Sequence, residues 1–130
     1  YGLDEALKRA DAYLKAGADI LFVESPESAD EMNAIGQRFK GAALLANMVP
    51  GGRTPALSAA ELGSMGFRIV IHPGACLAPA VAAMGQALKH LQMTGDVKGT
   101  PGPIVTFNEL HPLVGFTDVW AFDQKYGSAP

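Results

Sequence analysis

The run Asp19-Ile20-Leu21-Phe22-Val23-Glu24 decides the fold, because a short apolar stretch of this kind is typical of a strand buried on both faces of a parallel sheet. Two further apolar runs have the same form, and they close on Asn47 and on His72. The carboxyl ends of parallel strands are where α/β proteins bind their substrates. The spacing therefore predicts that Glu24, Asn47 and His72 line one common mouth.

Stretches with helical periodicity lie before, between and after these apolar runs, so predicted helices and strands alternate along the chain. Two Ser-x-x-Glu boxes, Ser28 with Glu31 and Ser58 with Glu61, predict where two of the helices begin. The predicted helices cover residues 4–16, 29–39, 59–64 and 75–94, with one or two short ones within 106–126, and the predicted strands cover 19–23, 42–46 and 67–71. This alternation predicts parallel strands joined by right-handed crossovers.

Three strands are too few to close a barrel, and a (β/α)₈ barrel takes about 250 residues, whereas this chain has 130. Two architectures fit: a small open α/β sheet, or the C-terminal arc of a (β/α)₈ TIM barrel, made of about three βα units and terminal helices. A leading helix with no strand before it favours the arc. We expect a partial barrel over residues 1–96 and a Gly/Pro-rich linker with a helical tail over 97–130.

Composition narrows the classes of function. The formal net charge is −3 and no basic stripe is present, so nucleic acid is not an expected partner. No apolar run approaches the ~20 residues of a membrane span, and residues 1–15 mix their charges, unlike a signal peptide. The single cysteine, Cys76, cannot form an internal disulfide, which favours a reducing, cytoplasmic location.

Glu24 and Asn47 are the first site candidates. A carboxylate against a buried strand needs a partner, so Glu24 is interpreted as a semi-buried catalytic residue that holds a water, a metal's water shell or a substrate hydroxyl. The alternative is a surface carboxylate in a loop. Asn47 both donates and accepts hydrogen bonds, which suits a substrate carboxylate. Its alternative is an asparagine that starts a turn by bonding its own backbone.

The loop after Asn47 and the end of the third strand supply the other candidates. Gly51 allows close backbone approach to a substrate, and Arg53 can clamp a carboxylate, although a solvated loop arginine fits equally well. His72 is interpreted as a catalytic proton donor or substrate contact, or else as a packed histidine bonded to backbone.

The remaining reactive side chains are interpreted as structural. His90 and His111 lie on predicted helices, away from the strand ends, and are assigned surface or packing roles. Cys76 begins the helix predicted at 75–94, where a thiolate could be stabilised, but it is interpreted as a small buried hydrophobe. The sequence contains no HExxH and no CxxC, and no residue is predicted to bind a metal directly.

Several stretches resemble the isocitrate lyase/phosphoenolpyruvate mutase superfamily, and together they span nearly the whole chain. They are residues 2–6 (GLDEA), 16–24 (AGADILFVE), 45–55 (LANMVPGGRTP), 62–74 (LGSMGFRIVIHPG), 107–110 (FNEL) and 114–116 (VGF). The combination is similar above all to the 2-methylisocitrate lyase, dimethylmalate lyase and oxaloacetate decarboxylase-like branches, and it does not select one of them.

The resemblance implies a (β/α)₈ barrel that cleaves or decarboxylates small di- and tricarboxylic acids through the enolate of a 2-oxo acid. It also implies Mg²⁺, which stabilises the developing charge. At the matching positions, Glu24 belongs to a polar network near metal and substrate, and Asn47 contacts a substrate carboxylate. The last strand end is often Tyr in the family, whereas here it is His72.

Some motifs that the resemblance calls for are not in this sequence. The family's metal-binding aspartates lie on earlier strands. Its Lys-Arg-Cys-Gly loop, whose Cys donates the proton in the lyases, is also upstream, and Cys76 does not match that loop. We therefore expect the Mg²⁺ ligands to come from an N-terminal part of the barrel. The resemblance further implies a homo-oligomer that exchanges the helix predicted at 75–94.

Two hypotheses follow. In the first, the chain is the C-terminal part of a Mg²⁺-dependent carbon–carbon lyase or decarboxylase, is inactive alone, and exposes an apolar sheet edge. In the second, it is a non-catalytic oligomerisation or binding module whose edge strands pair between copies, with Glu24, Asn47 and His72 satisfied structurally. A small open sheet with an unrelated activity is disfavoured, because both of its edges would be unprotected.

Overall fold

A computed structural model describes residues 1–127 of the chain. Its elements, in order, are α1 (Gly2–Lys15), β1 (Ile20–Phe22), α2 (Ala29–Arg38), β2 (Ala43–Asn47), α3 (Ala59–Ser64), β3 (Phe67–Ile71), α4 (Leu77–Thr94), α5 (Phe107–Leu113) and α6 (Phe116–Tyr126). The predicted order of helices and strands is confirmed, and the boundaries differ by at most two residues.

The chain divides into two compact units, one from Tyr1 to Ala82 and one that begins at Ala83. The point of division lies within α4, whereas the sequence predicted a boundary between residues 96 and 97. Helix α4 runs without interruption across the division at Ala82 and Ala83, so no linker separates the two units there. The predicted partial barrel over 1–96 and tail over 97–130 therefore stay a prediction.

The sheet of the first unit has the strand order β1-β2-β3, and both strand pairs are parallel, as predicted. The register pairs Leu21 with Leu44 on one side of β2 and Asn47 with Ile71 on the other. Because α2 and α3 each carry the chain back to the start of the next strand, the three strands point the same way. Their carboxyl ends therefore lie at one edge of the sheet.

The core lies on one face of this sheet. Leu21, Leu44 and Phe67 point to that face and are buried, and Met32 of α2 and Leu62 of α3 pack against them. Residues Ala10, Ile35, Phe39, Ala46 and Met48 complete the buried cluster. Removing one such apolar side chain from water contributes about 1.5–3 kcal/mol to folding, so the contact between this face and the helix layer is the main apolar contribution within the unit.

The opposite face of the sheet is largely exposed. Ile20 and Phe22 of β1 are 47% and 46% exposed, and Ile71 of β3 is 42% exposed. The prediction that β1 is buried on both faces is therefore wrong for the part of the chain that the structure describes. The reason is topological, because right-handed crossovers between strands in unreversed order place all connecting helices on the same side.

The two predicted capping boxes differ in their outcome. At the start of α3, the amide of Glu61 donates to Ser58 Oγ (3.3 Å), and the amide of Ser58 donates to Glu61 Oε2 (2.7 Å), which completes the box. At the start of α2, the amide of Glu31 donates to Ser28 Oγ (3.1 Å), but the Glu31 carboxylate accepts from the amide of Glu27 (2.7 Å). The box predicted at Ser28 is therefore only half formed.

Helix α2 approaches the end of α3 at a glycine. A Cβ placed on Gly36 would lie 1.8 Å from the backbone oxygen of Met65, far inside van der Waals contact. Any side chain at this position would force the two helices apart. Gly36 is buried and is therefore required for the spacing of the helix layer.

The second unit contains most of α4 together with α5 and α6. No residue of these three helices is buried. The imidazole of His111 lies 5.6 Å from the ring of Phe107, 5.1 Å from that of Phe116 and 5.2 Å from that of Trp120, as centroid distances. His111 thus packs among aromatic rings, while His90 Nε2 lies 2.9 Å from the carbonyl oxygen of Lys98.

The cysteine is a residue whose predicted burial differs plainly from the structure. Cys76 is exposed, so the prediction of a buried cysteine is wrong. It lies in the turn between β3 and α4, outside the helix layer that forms the core.

Within residues 1–127, no helix is both long and apolar enough to cross a lipid bilayer.

Candidate functional site at the carboxyl ends of the strands

The structure places the three predicted strand-end residues at the same edge of the sheet. Asn47 is the last residue of β2, His72 directly follows β3, and Glu24 lies two residues after β1. Asn47 is in register with Ile71, and the amide of Met48 donates to the carbonyl of Ile71 (2.9 Å). The pairing of β2 with β3 therefore continues past the sheet and fixes the two chain segments that carry Asn47 and His72.

Glu24 is exposed rather than semi-buried as expected, because the chain leaves the sheet at Val23. Its Oε1 accepts a hydrogen bond of 2.8 Å from the hydroxyl of Ser25. Ser25 has a φ of +53°, and it is the one non-glycine residue in the described part of the chain with a positive φ. Such a backbone conformation costs about 1–3 kcal/mol, and it lies directly beside the candidate carboxylate.

Asn47 carries a buried polar atom that the described residues leave without a partner. The Oδ1 atom of its carboxamide is inaccessible to solvent and accepts no hydrogen bond from residues 1–127. A buried oxygen in this condition costs about 1–3 kcal/mol. The alternative, in which this oxygen bonds the residue's own backbone, is not what the structure shows. Among the described residues, this oxygen is thus a buried side-chain acceptor whose hydrogen-bonding capacity is unused.

The loop between β2 and α3 presents Gly51 and Arg53. Gly51 is exposed and has a φ of +72°, within a turn in which the amide of Gly52 donates to the carbonyl of Val49 (3.0 Å). Arg53 Nη1 lies 3.4 Å from Glu27 Oε1, which belongs to the loop after β1. The side chain of Arg53 is 72% exposed, so the structure shows a solvated loop arginine with one weak ion-pair contact. Both partners are exposed, and such a pair is worth about 0–1 kcal/mol.

His72 is exposed, so the interpretation as a packed histidine is wrong. The residue is held by its backbone, because its carbonyl accepts from the amide of Ala75 (3.2 Å) in the turn that precedes α4. The imidazole is therefore available to a ligand at the strand ends.

A cleft of about 340 Å³ lies between the start of α1 and the loop after β1. It brings together Glu24, Glu27 and Arg53, and Tyr1 lies at its edge. Asn47, Gly51 and His72 do not line it. A second cleft, of about 610 Å³, runs along α1 and the unpaired edge of β1. The predicted candidates thus fall into two groups, one in the cleft and one along the ends of β2 and β3.

The carboxylates of the smaller cleft do not form a magnesium site. Glu24 accepts from Ser25, Glu27 pairs with Arg53, and Glu31 accepts from the amide of Glu27. Within residues 1–127, no group of three or more His, Cys, Asp or Glu side chains lies close enough together to hold a metal ion. Mg²⁺ prefers six oxygen ligands in near-octahedral geometry, and the residues present do not supply them.

Sequence reasoning missed two residues of the cleft, Ser25 and Glu27. A signal was present for Ser25, because a hydroxyl next to a strand-end carboxylate can hydrogen-bond to it. No local signal existed for Glu27. Its partner Arg53 is far away along the chain and reaches it only because β1 and β2 are neighbours in the sheet.

Comparisons with known proteins agree on one family. Residues 1–92 match the family model described as phosphoenolpyruvate phosphomutase. The chain is 42% identical over 127 residues to 2,3-dimethylmalate lyase of Eubacterium barkeri. The aligned region covers 98% of this chain and 44% of that protein. The chain is 35% identical over 127 residues to the chloroplastic carboxyvinyl-carboxyphosphonate phosphorylmutase of Arabidopsis thaliana, over 98% of this chain and 37% of that protein.

The fold agrees with these sequence matches. A crystal structure of 2,3-dimethylmalate lyase, a member of the PEP mutase/isocitrate lyase superfamily, superposes with a TM-score of 0.85 at 38% identity. The match covers 99% of this chain and 44% of the crystallised one. This chain therefore spans less than half the length of the relatives it matches.

Proposed function

This chain belongs to the isocitrate lyase/phosphoenolpyruvate mutase superfamily, and we propose that it is the C-terminal arc of a (β/α)₈ barrel. The complete barrel is a carbon–carbon lyase or decarboxylase that acts on small di- or tricarboxylic acids through the enolate of a 2-oxo acid. The protein is cytoplasmic and forms a homo-oligomer in which α4 is exchanged between subunits.

The observation that carries this proposal is the uncovered face of the sheet. Ile20, Phe22 and Ile71 are exposed on the face opposite the helices. In a closed barrel, this face becomes the interior, which is filled by layers of apolar side chains. The unreversed strand order and the single layer of helices support the same arrangement, because a doubly wound sheet carries helices on both faces.

The strand-end residues then form one wall of the substrate site. Asn47 holds the substrate through its carboxamide, whose buried oxygen accepts a donor that the described residues do not provide. Gly51 lets the loop backbone approach the ligand. Arg53 clamps a substrate carboxylate in a fork geometry, and the weak exposed pair with Glu27 is easily exchanged for that contact.

Two side chains are assigned to the chemistry. Glu24 accepts a hydrogen bond from a substrate hydroxyl or a bound water, and His72 donates a proton or contacts the substrate from the end of β3. The described residues do not form a magnesium site, and the superfamily's Mg²⁺ is proposed to be held by segments that precede them. The substrate wall and the metal centre are thereby divided between two parts of the barrel.

The test compares the isolated chain with the same chain completed by the segment proposed to precede it. We expect the complete protein to cleave 2,3-dimethylmalate or 2-methylisocitrate in a Mg²⁺-dependent reaction. The isolated 130-residue chain should show neither cleavage nor Mg²⁺ binding at micromolar concentration. Robust Mg²⁺-dependent cleavage by the isolated chain would overturn the proposal.

A non-catalytic oligomerisation module is the second candidate, because the edge strands β1 and β3 can pair between copies and the exposed apolar stripe of α4 can pack against another chain. Leu77, Val81, Met84 and Leu88 lie along this helix, and all are more than half exposed. In this case, replacing Glu24, Asn47 and His72 together by alanine should leave binding of small acids by the complete protein unchanged. Loss of that binding would instead support the enzyme.

A further inference from the structure

We propose that Ser25 is a positioning residue for the Glu24 carboxylate. Its hydroxyl donates to Glu24 Oε1 over 2.8 Å, and its backbone is in the left-handed region with a φ of +53°. This inference rests on the proposed function, because it assigns a task to a residue of the same site. The inference goes beyond the proposed function because it names the contact that orients the Glu24 carboxylate.

The choice of residue at this position is the first argument. In residues 1–127, the other ten positions with a positive φ are all glycines, which adopt this conformation freely, and Ser25 is the single exception. Ser25 also precedes Pro26, and a residue before proline prefers extended backbone. A glycine would relieve both conflicts. The residue at this strained position is instead a serine, and its hydroxyl is the group that contacts Glu24.

The surroundings of Glu24 are the second argument. The arginine of the cleft, Arg53, pairs with Glu27 and not with Glu24. Among the described residues, Glu24 forms no ion pair, and the Ser25 hydroxyl is its hydrogen-bond partner. An exposed glutamate has three freely rotating bonds. One hydrogen bond from a rigid neighbour therefore decides the orientation of the carboxylate.

The third argument concerns the two oxygens of that carboxylate. Oε1 is engaged by Ser25, so Oε2 is left to accept a hydrogen bond from a ligand in the cleft. The group that fits Oε2 is a donor such as the hydroxyl of a hydroxy acid or a water molecule. Ser25 thereby selects which oxygen of Glu24 meets the substrate, without touching the substrate itself.

The experiment is a double-mutant cycle in the complete protein, with Ser25→Ala, Glu24→Gln and the combined variant. We expect Ser25→Ala to lower kcat roughly tenfold with little change in KM, because the carboxylate is misdirected in the transition state. In the Glu24→Gln background, Ser25→Ala should have no further effect on kcat. Independent, additive losses would overturn the proposal, since a purely structural serine would not depend on Glu24.

Two further variants separate positioning from stability. Ser25→Gly removes the hydroxyl and also the backbone conflict, so it should lower kcat like Ser25→Ala while raising Tm. Ser28→Ala is the matched control, because it removes the side-chain cap of α2 in the same loop and should lower Tm without lowering kcat. Full kcat in Ser25→Gly would overturn the proposal.

A spectroscopic measurement keeps this proposal distinct from the proposed function. In the same protein labelled with ¹³C at its glutamate carboxyls, the signal of Glu24, assigned with Glu24→Gln, should shift in Ser25→Ala and stay in place in Ser28→Ala. If the wild-type protein cleaves no carboxylic acid but this shift is present, the proposed function fails and the positioning contact stands. An unmoved Glu24 signal in Ser25→Ala would overturn the positioning contact itself.

Discussion

Leu21 and Phe22 are neighbours in β1, yet Leu21 is 2% exposed and Phe22 is 46% exposed. Successive side chains of a strand point to opposite faces, so this pair shows directly that one face of the sheet carries the core and the other does not. The same contrast separates Leu44, which is buried, from Leu45, which is only partly buried.

A charge on each face should therefore have opposite consequences. Phe22→Lys should leave the free energy of unfolding of the chain within about 0.5 kcal/mol of wild type, as is usual for surface substitutions. It should also prevent assembly with a segment that covers this face. Leu21→Lys should unfold the chain, because it buries an unpaired charge. Urea denaturation followed by circular dichroism compares the two variants, and equal destabilisation would contradict the one-sided core.

The contact between Gly36 and Met65 predicts a large effect from one added methyl group. Gly36→Ala should destabilise the chain by about 1–3 kcal/mol or more, because the new Cβ overlaps a backbone oxygen. Gly63→Ala in α3 is the matched control, since nothing lies within 4 Å of its Cβ and its helix should gain about 0.5–1 kcal/mol. The midpoints of urea unfolding test both, and a neutral Gly36→Ala would show that the helices can separate without cost.

The capping box at Ser58 predicts a pH dependence of stability. The hydroxyl of Ser58, followed by its backbone N–H, lowers the pKa of Glu61 below its ordinary value of 4.5. Because the folded-state pKa is depressed, the cap's contribution is fully present above 4.5 and is lost as the pH falls through the lowered folded-state pKa. Ser58→Ala should thus reduce the loss of Tm in acid.

The control for this prediction is Ser64→Ala. The Ser64 hydroxyl donates to the backbone carbonyl of Glu61 and not to its carboxylate, so the acid dependence of Tm should be retained. Thermal unfolding at a series of acidic pH values makes the comparison. An unchanged acid slope in Ser58→Ala would show that other carboxylates dominate the acid unfolding. Glu109, whose pKa is lowered by the backbone and then the hydroxyl of Thr106, is the next group to test.

Arg53 should affect ligand binding more than stability. Under the proposed function, Arg53→Ala in the complete protein should raise KM for a dicarboxylic substrate roughly tenfold or more, because a charge-assisted contact is lost. Its exposed pair with Glu27 predicts a change in unfolding free energy of no more than about 1 kcal/mol. Arg38→Ala, which breaks the pair with Asp11 between α1 and α2, should leave KM unchanged. An equal rise of KM in both variants would remove Arg53 from the substrate wall.

Most of the fold could be predicted from the sequence, because its signals are local. The strand over Phe67–Ile71 and the helix over Ala59–Ser64 have the predicted bounds, since an apolar run and a capping box each act within a few residues. The exposure of Phe22 could not be predicted in this way. It depends on which side of the sheet the crossovers place the helices, which is a property of the whole unit.

The site was predictable only in part, for the same reason. The placement of Asn47 and His72 at one edge follows from parallel strands alone. The pair between Arg53 and Glu27 joins two loops that are distant in sequence. The unpartnered Oδ1 of Asn47 depends on the packing around β2. No periodicity in the sequence predicts the Arg53–Glu27 ion pair or the unpartnered oxygen of Asn47.

The serines that begin α2 and α3 bear on how far the loops before these helices can change without loss of the fold. Ser28 and Ser58 each accept a hydrogen bond from an amide of their own helix, but the Glu31 carboxylate of α2 also binds the amide of Glu27 in the loop before that helix. The box at Ser58 closes within residues 58–61, so changes earlier in the loop after β2 leave the start of α3 intact, whereas changes at Glu27 reach the start of α2. Tolerance to replacement is therefore expected to be greater in the loop before α3 than in the loop before α2.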